Sequence, residues 1–151
     1  MPDYRPHDEV LIARQPTVGA LFHSRAAANP DHLAIVDGDR VLTYAALEER
    51  SNRLGQALLD RGLEPGDRVC LLARNCAEYV EVELAAAKTG LIVAALNWRL
   101  SDPELRHCVE LVEPKLLIAQ ADYQETLDRL HLMENLRIVI GPDYEHHLAL
   151  A

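Results

Sequence analysis

Arg99 is the residue best placed for chemistry. It follows an apolar run at residues 91–96 and precedes Ser101-Asp102-Pro103-Glu104. It is therefore expected to project from the carboxyl end of a parallel strand, where open α/β sheets bind ligands, just before a helix whose N-terminus attracts anions. A guanidinium there can grip a phosphate bidentately, which a lysine cannot. The plainer alternative is a surface arginine paired with Glu104 or another carboxylate. Asn97 and Trp98 share the location, and Trp98 reads first as a packing residue at a contact with another subdomain.

Other chemistries lack their residues. The seven glycines, at 19, 38, 55, 62, 66, 90 and 141, are isolated and form no G-x-G pair. A phosphate cradle needs several backbone N–H groups at close approach, so neither a P-loop nor a dinucleotide fingerprint is present. His146 and His147 are adjacent and diverge by about 100° on a helix, and no histidine lies four residues from another or from a cysteine, so no metal site is expected. Cys70, Cys76 and Cys108 show no C-x-x-C spacing and are expected to be small apolar fillers rather than a disulfide framework. No G-x-S-x-G opens a nucleophile elbow. The paired carboxylates Glu48/Glu49 and Glu81/Glu83 are expected on solvated helix faces. Asp67 and Arg68, at a strand entry, are expected to hold a turn and the neighbouring chain. No catalytic residue is assigned.

Composition narrows the class further. The 151 residues are 49% hydrophobic and 26% charged, enough for one substantial core. Net charge is −9 and the basic residues are scattered, which leaves no footprint for nucleic acid or an anionic membrane. The amino terminus has no signal-peptide core and the longest apolar run is too short to span a bilayer. No transmembrane segment is expected, and the expected location is cytoplasmic.

Four elements must position Arg99 and its neighbours. Residues 69–72, 91–96, 116–119 and 136–140 are short apolar runs, separated by helical patterns over 77–89, from the capping box Ser101 to Glu104 up to Pro114, and over 123–132. Strands apolar on both faces and joined by helices imply one doubly wound parallel sheet with helices on both faces and right-handed crossovers, over residues 65–140. Ahead of it, Thr17 caps a helix ending by Asn29-Pro30, and Asp37-Gly38 turns a two-stranded hairpin that should sit outside the sheet. Thr43 caps a second helix with Leu47, Ser51, Leu54 and Leu58 on one stripe, Arg61-Gly62 stops it, and Pro65-Gly66 forms a type II turn. The expected organisation is an N-terminal arm over 1–16, a helix–hairpin–helix segment over 17–64, and an α/β segment over 65–151, all within one larger truncated domain. The first sixty residues are expected to pack against a different part of the parent protein, and 141–151 to be a surface turn with a helical start cut short.

Leu42-Thr43-Tyr44, Asn52-Arg53-Leu54, Gly62, Gly66-Asp67-Arg68-Val69, Asn75, Glu78-Tyr79, Ala86-Ala87-Lys88-Thr89-Gly90 and Asn97-Trp98-Arg99-Leu100 occur here in one order and spacing. That series resembles the amino-terminal part of the adenylate-forming acyl-CoA synthetases, and its last member looks like the fatty-acyl and aryl-acyl CoA ligases. Ala95 departs from the pattern, since relatives usually carry proline there. The resemblance implies a parent enzyme that uses ATP and Mg2+ to convert a carboxylic acid to an acyl-adenylate, then passes the acyl group to coenzyme A. It implies that Arg99 lies near the nucleotide phosphate of CoA. It also implies that the phosphate loop, acyl pocket and catalytic lysine lie downstream, so the chain is the first third or so of a larger synthetase. Its main partner would be the remainder of that synthetase, and no cofactor is expected on the isolated piece. A stand-alone non-catalytic partner of such ligases, or an unrelated doubly wound ligand-binding domain, remain the alternatives at this point.

Overall fold

The computed structural model describes residues 17–151; the amino-terminal arm assigned to residues 1–16 lies outside them. The chain opens with helix α1 (Val18–Ala28), then a hairpin of β1 (Leu33–Asp37) and β2 (Arg40–Thr43), then helix α2 (Tyr44–Asp60). Both predicted caps form: Thr17 Oγ1 accepts from Ala20 N at 3.1 Å and Thr43 Oγ1 from Ala46 N at 3.2 Å. Each satisfies one of the orphan N–H groups that open a helix. Gly66 takes φ +93° at the third position of the Pro65-Gly66 turn, which is closed by Asp67 N donating to Glu64 O at 2.9 Å.

The α/β unit follows as β3 (Arg68–Leu72), α3 (Ala77–Thr89), β4 (Ile92–Ala95), α4 (Asp102–Val112), β5 (Leu116–Gln120), a 3-10 turn over Ala121–Tyr123, α5 (Gln124–Arg129), β6 (Arg137–Ile140) and α6 (Pro142–Leu150). The four strands form one parallel sheet in the order β4-β3-β5-β6, with Val69 beside Val93 and Leu116, and Ile118 beside Ile138. The hairpin is a separate two-stranded sheet, as expected. Alternate residues of each strand feed opposite layers. Val69, Leu71, Leu116, Ile118 and Ile138 pack with α2, α3 and α6, while Cys70, Leu72, Leu117 and Ala119 pack with α4 and α5. The sheet is therefore doubly wound.

Several expectations need correction. Leu54 and Leu58 of α2 share one core with the sheet, so the second helix packs on the α/β unit itself and not on a distant part of the protein. The helix expected over 123–132 shrinks to α5, because Leu130 and Leu132, two residues apart, both turn inward and His131 and Met133 take positive φ. Residues 141–151 form a docked helix: Pro142 starts it, and Tyr144 and Leu148, four apart, are buried on one side. β4 lies at the sheet edge: Val93 packs on one layer and Ala94 on the other, but Ile92 is 51% exposed, so its cover is thinner than its composition implied.

Glu81 is the largest departure. Expected on a solvated face, it is fully buried on α3. Arg50 donates to it through Nε at 2.7 Å and Nη2 at 3.1 Å, Arg40 through Nη2 at 3.2 Å, and the Tyr144 hydroxyl at 2.8 Å. Arg50 reaches on to Glu145 at 2.6 and 2.9 Å, and Arg40 to Glu78. One carboxylate thus ties β2, α2, α3 and α6 together. Glu48, also expected in solvent, accepts from Lys88 Nζ at 2.8 Å, and that ammonium also donates to Ser51 and Asn52.

Candidate functional site

The carboxyl ends of β3, β4 and β5 converge on one cluster. β3 delivers Arg74, β4 delivers Asn97, Trp98 and Arg99, and Tyr123 follows β5. The Arg99 guanidinium carbon lies 4.7 Å from the centroid of the Trp98 ring and that of Arg74 4.8 Å from it, so one indole carries two cations. Gln120 accepts from Arg74 N at 2.8 Å, and Tyr123 Oη from Arg74 Nε at 3.2 Å. Asn97 Oδ1 accepts from Arg99 N at 3.0 Å and shapes the turn that presents the side chain. Arg74, Trp98 and Arg99 are exposed.

The pairing of Arg99 with Glu104 does not form. Glu104 instead accepts from Ser101 N at 2.9 Å and from Ser101 Oγ at 2.6 Å, and those bonds hold its carboxyl below the usual carboxylate range. Its carboxylate already occupies the start of α4, so the helix terminus is not free to receive an anion. Asp102 is engaged by Arg129 at 2.9 Å. Among the described residues neither Arg74 nor Arg99 has a carboxylate within ion-pair distance, in a chain with 24 acidic and 15 basic residues. Chemically, the cluster offers two guanidiniums for an anionic oxygen and an indole face for a planar ring.

Gly55, Gly90, Asp67 and Arg68 each hold the fold together. Gly55 lets α2 approach α3 so closely that an added Cβ would sit 3.0 Å from Thr89 Cγ2. Gly90 closes α3 at φ +77°. Asp67 Oδ2 accepts from Glu64 N at 2.9 Å, and Arg68 donates to the carbonyls of Val112 and Glu113, which fulfils the expectation for this pair. Sequence reasoning missed Arg74, which carried no signal until β3 and β4 were seen to be neighbours. It also missed Tyr144, although its i, i+4 spacing with Leu148 was a visible signal.

All three cysteines are free. Burial pushes the Cys70 and Cys76 thiols up to about 11. A thiol shifted that far above its ordinary value is overwhelmingly protonated near neutrality, so alkylation of Cys76 at pH 8 should run about a hundredfold slower than that of an unstructured cysteine. Labelling at the unstructured rate would mark Cys76 as a reactive nucleophile. Among the described residues no three His, Cys, Asp or Glu side chains gather as a metal ion would require, and no helix is long and apolar enough to cross a membrane.

Comparison with known proteins decides the family. The sequence profile of the AMP-binding enzymes matches residues 22–147. The chain belongs to that family. This AMP-binding chain is 34% identical over 109 residues to the fatty acid–[acyl-carrier-protein] ligase ScoC of Streptomyces coeruleorubidus, covering 72% of this chain and 21% of that protein. It is 33% identical over 124 residues to a medium/long-chain-fatty-acid–CoA/3-oxocholest-4-en-26-oate–CoA ligase of Mycobacterium tuberculosis, covering 79% of this chain and 23% of that protein. In structure it is similar to the inhibitor-bound N-terminal domain of FACL13 from Mycobacterium tuberculosis, with a TM-score of 0.83 and 26% identity over 91% of this chain and 36% of that one. The AMP-binding chain thus spans between a fifth and a quarter of the length of these curated relatives.

Proposed function

We propose that this chain is the amino-terminal portion of an ATP-dependent acid–CoA ligase acting on a fatty or aromatic carboxylic acid. The observation that carries this reading is the profile match across most of the chain, together with relatives that are 34% and 33% identical over 109 and 124 aligned residues and are named as ligases joining fatty acids to a thiol carrier. In such a reaction a carboxylate displaces pyrophosphate from ATP, with Mg2+ on the phosphates, and gives an acyl-adenylate. The thiol of CoA then takes the acyl group and AMP leaves.

Within that scheme the carboxyl-end cluster supports a role in the second step. Arg99, with Arg74 across the same indole, would hold the nucleotide phosphate of CoA, and Trp98 keeps both guanidiniums extended toward solvent. Through their guanidinium N–H groups both residues would bind and orient the phosphate. Exposed apolar side chains support docking onto the remainder of a synthetase. Val18, Leu21, Leu33, Val36 and Val41 are all half or more exposed on α1 and the hairpin, beside an apolar groove of about 460 Å3. Three free thiols and the acidic composition accord with a cytoplasmic enzyme.

Catalysis of phosphoryl and adenylyl transfer is positioning and charge stabilisation, and the seven isolated glycines of this sequence form no glycine-rich cradle for phosphates. The test is exchange of labelled pyrophosphate into ATP. The polypeptide comprising this chain and its continuation should exchange in the presence of a fatty or aryl acid, and the 151-residue chain alone should not. Exchange by the chain alone would place the phosphate chemistry inside it and contradict this division; exchange by neither would defeat the ligase reading.

A further inference from the structure

The two edges of the sheet are not equivalent. In β4 the N–H groups of Ile92 and Leu96 donate to Asp67 O and Leu71 O, at 2.9 and 2.8 Å, so the even-numbered residues face β3. By the alternation of a parallel ladder, Val93 and Ala95 turn their N–H and C=O groups to the open side. Among the described residues no strand or side chain pairs with them. This edge reads Ile-Val-Ala-Ala, with no proline, no charge and no bulge, and so lacks the usual protection of an exposed strand. At the other edge the outward N–H of Val139 is already taken by Asp143 Oδ2 at 2.9 Å, so an added strand there would have to displace a carboxylate.

Connectivity points to the same edge. The step from β3 to β4 runs toward the β4 side through α3, which lies on the layer shared with α2 and α6. The steps from β4 to β5 and from β5 to β6 run the opposite way through α4 and α5, on the other layer. All three crossovers therefore share one hand, as parallel crossovers in one sheet almost always do. α6 leaves β6 on the α3 layer. A crossover of that hand through that layer must return toward β4, and the interior positions are filled.

We propose that the open edge of β4 is the docking site for the next parallel strand of the same polypeptide, the segment that follows α6, and that β6 remains a true edge. The inference rests on the reading of this chain as the opening portion of a longer ligase, since the matched segments make up only 21% and 23% of those relatives. The connection from α6 has to cross about four strand spacings, roughly 19 Å, which takes at least about six extended residues. The incoming segment must be extended over four or more residues, with a non-proline residue wherever its N–H faces Val93 or Ala95.

Amide hydrogen exchange, residue by residue, tests this in the 151-residue chain and in the polypeptide extended past Ala151. On extension, the amides of Val93 and Ala95 should slow by about a hundredfold while that of Arg137 stays as it was. Val93→Pro removes only the outward N–H, so in the extended polypeptide it should abolish the added protection at Ala95. Unchanged Val93 and Ala95 amides, or new protection at Arg137, would overturn the inference. Protection already present in the 151-residue chain and rising with concentration would overturn it too, by assigning the edge to a second copy. A reading frame that stops at Ala151 removes the occupant with the same result. Pyrophosphate exchange on the same samples reports separately on the ligase reading, since an inactive extended polypeptide with protected Val93 and Ala95 would defeat that reading and leave the strand assignment standing.

Discussion

Glu81→Ala is expected to lower the unfolding free energy by about 3–5 kcal/mol, because removing one partner of a buried ion pair leaves the others charged and desolvated. Here the abandoned groups are the Arg50 and Arg40 guanidiniums and the Tyr144 hydroxyl, all bonded to a carboxylate with no exposed surface. A loss of that size is a large share of the stability of an ordinary domain, about 5–15 kcal/mol. Tyr144→Phe is the gentler probe, removing one donor and keeping the ring, and should cost about 1–3 kcal/mol. Urea unfolding followed by circular dichroism checks both. A change under 1 kcal/mol for Glu81→Ala would mean that the carboxylate is solvated, and that α6 is not fastened to α2 and α3 through it.

The second large effect concerns function. In the ligase proposed here, Arg99→Ala should weaken the apparent affinity for CoA by about ten- to a hundredfold, the equivalent of about 1.5–3 kcal/mol for a charge-assisted contact. Pyrophosphate exchange without CoA should stay near the wild-type rate, because a phosphate contact remote from the carboxylate acts only in the second step. Arg74→Ala should shift CoA use in the same direction, since both guanidiniums share the Trp98 indole. A parallel fall of both half-reactions would make Arg99 structural. No change in either would make it an ordinary surface arginine.

Much of the architecture was legible in the chain because the deciding interactions are local. Thr17, Thr43, Pro65-Gly66 and the Ser101 to Glu104 box act within four residues of themselves, and each appears where its residue type places it. The four sheet strands declared themselves by apolar runs, and their helical spacers made them parallel. Glu81 was not legible as buried, because its partners lie 31, 41 and 63 residues away and a glutamate two positions from another reads as solvated surface. Strand order was not legible either. Only when β3 lies beside β4 do Arg74 and Arg99 meet on one indole, and periodicity carries no information about which strands are neighbours. The family resemblance pointed to Arg99 but not Arg74; of its other markers, Lys88 ties α3 to α2 and Gly90 closes α3.

The fate of ATP tests the central claim most directly. The polypeptide comprising this chain and its continuation is incubated with ATP, Mg2+, CoA and a panel of fatty and aromatic acids, and the nucleotide and thioester products are quantified. An acid–CoA ligase of the AMP-binding family yields AMP, pyrophosphate and acyl-CoA in equal amounts, and that stoichiometry with at least one acid is the predicted result. ADP and inorganic phosphate in place of AMP and pyrophosphate, or ATP turnover with no thioester from any acid, would contradict it.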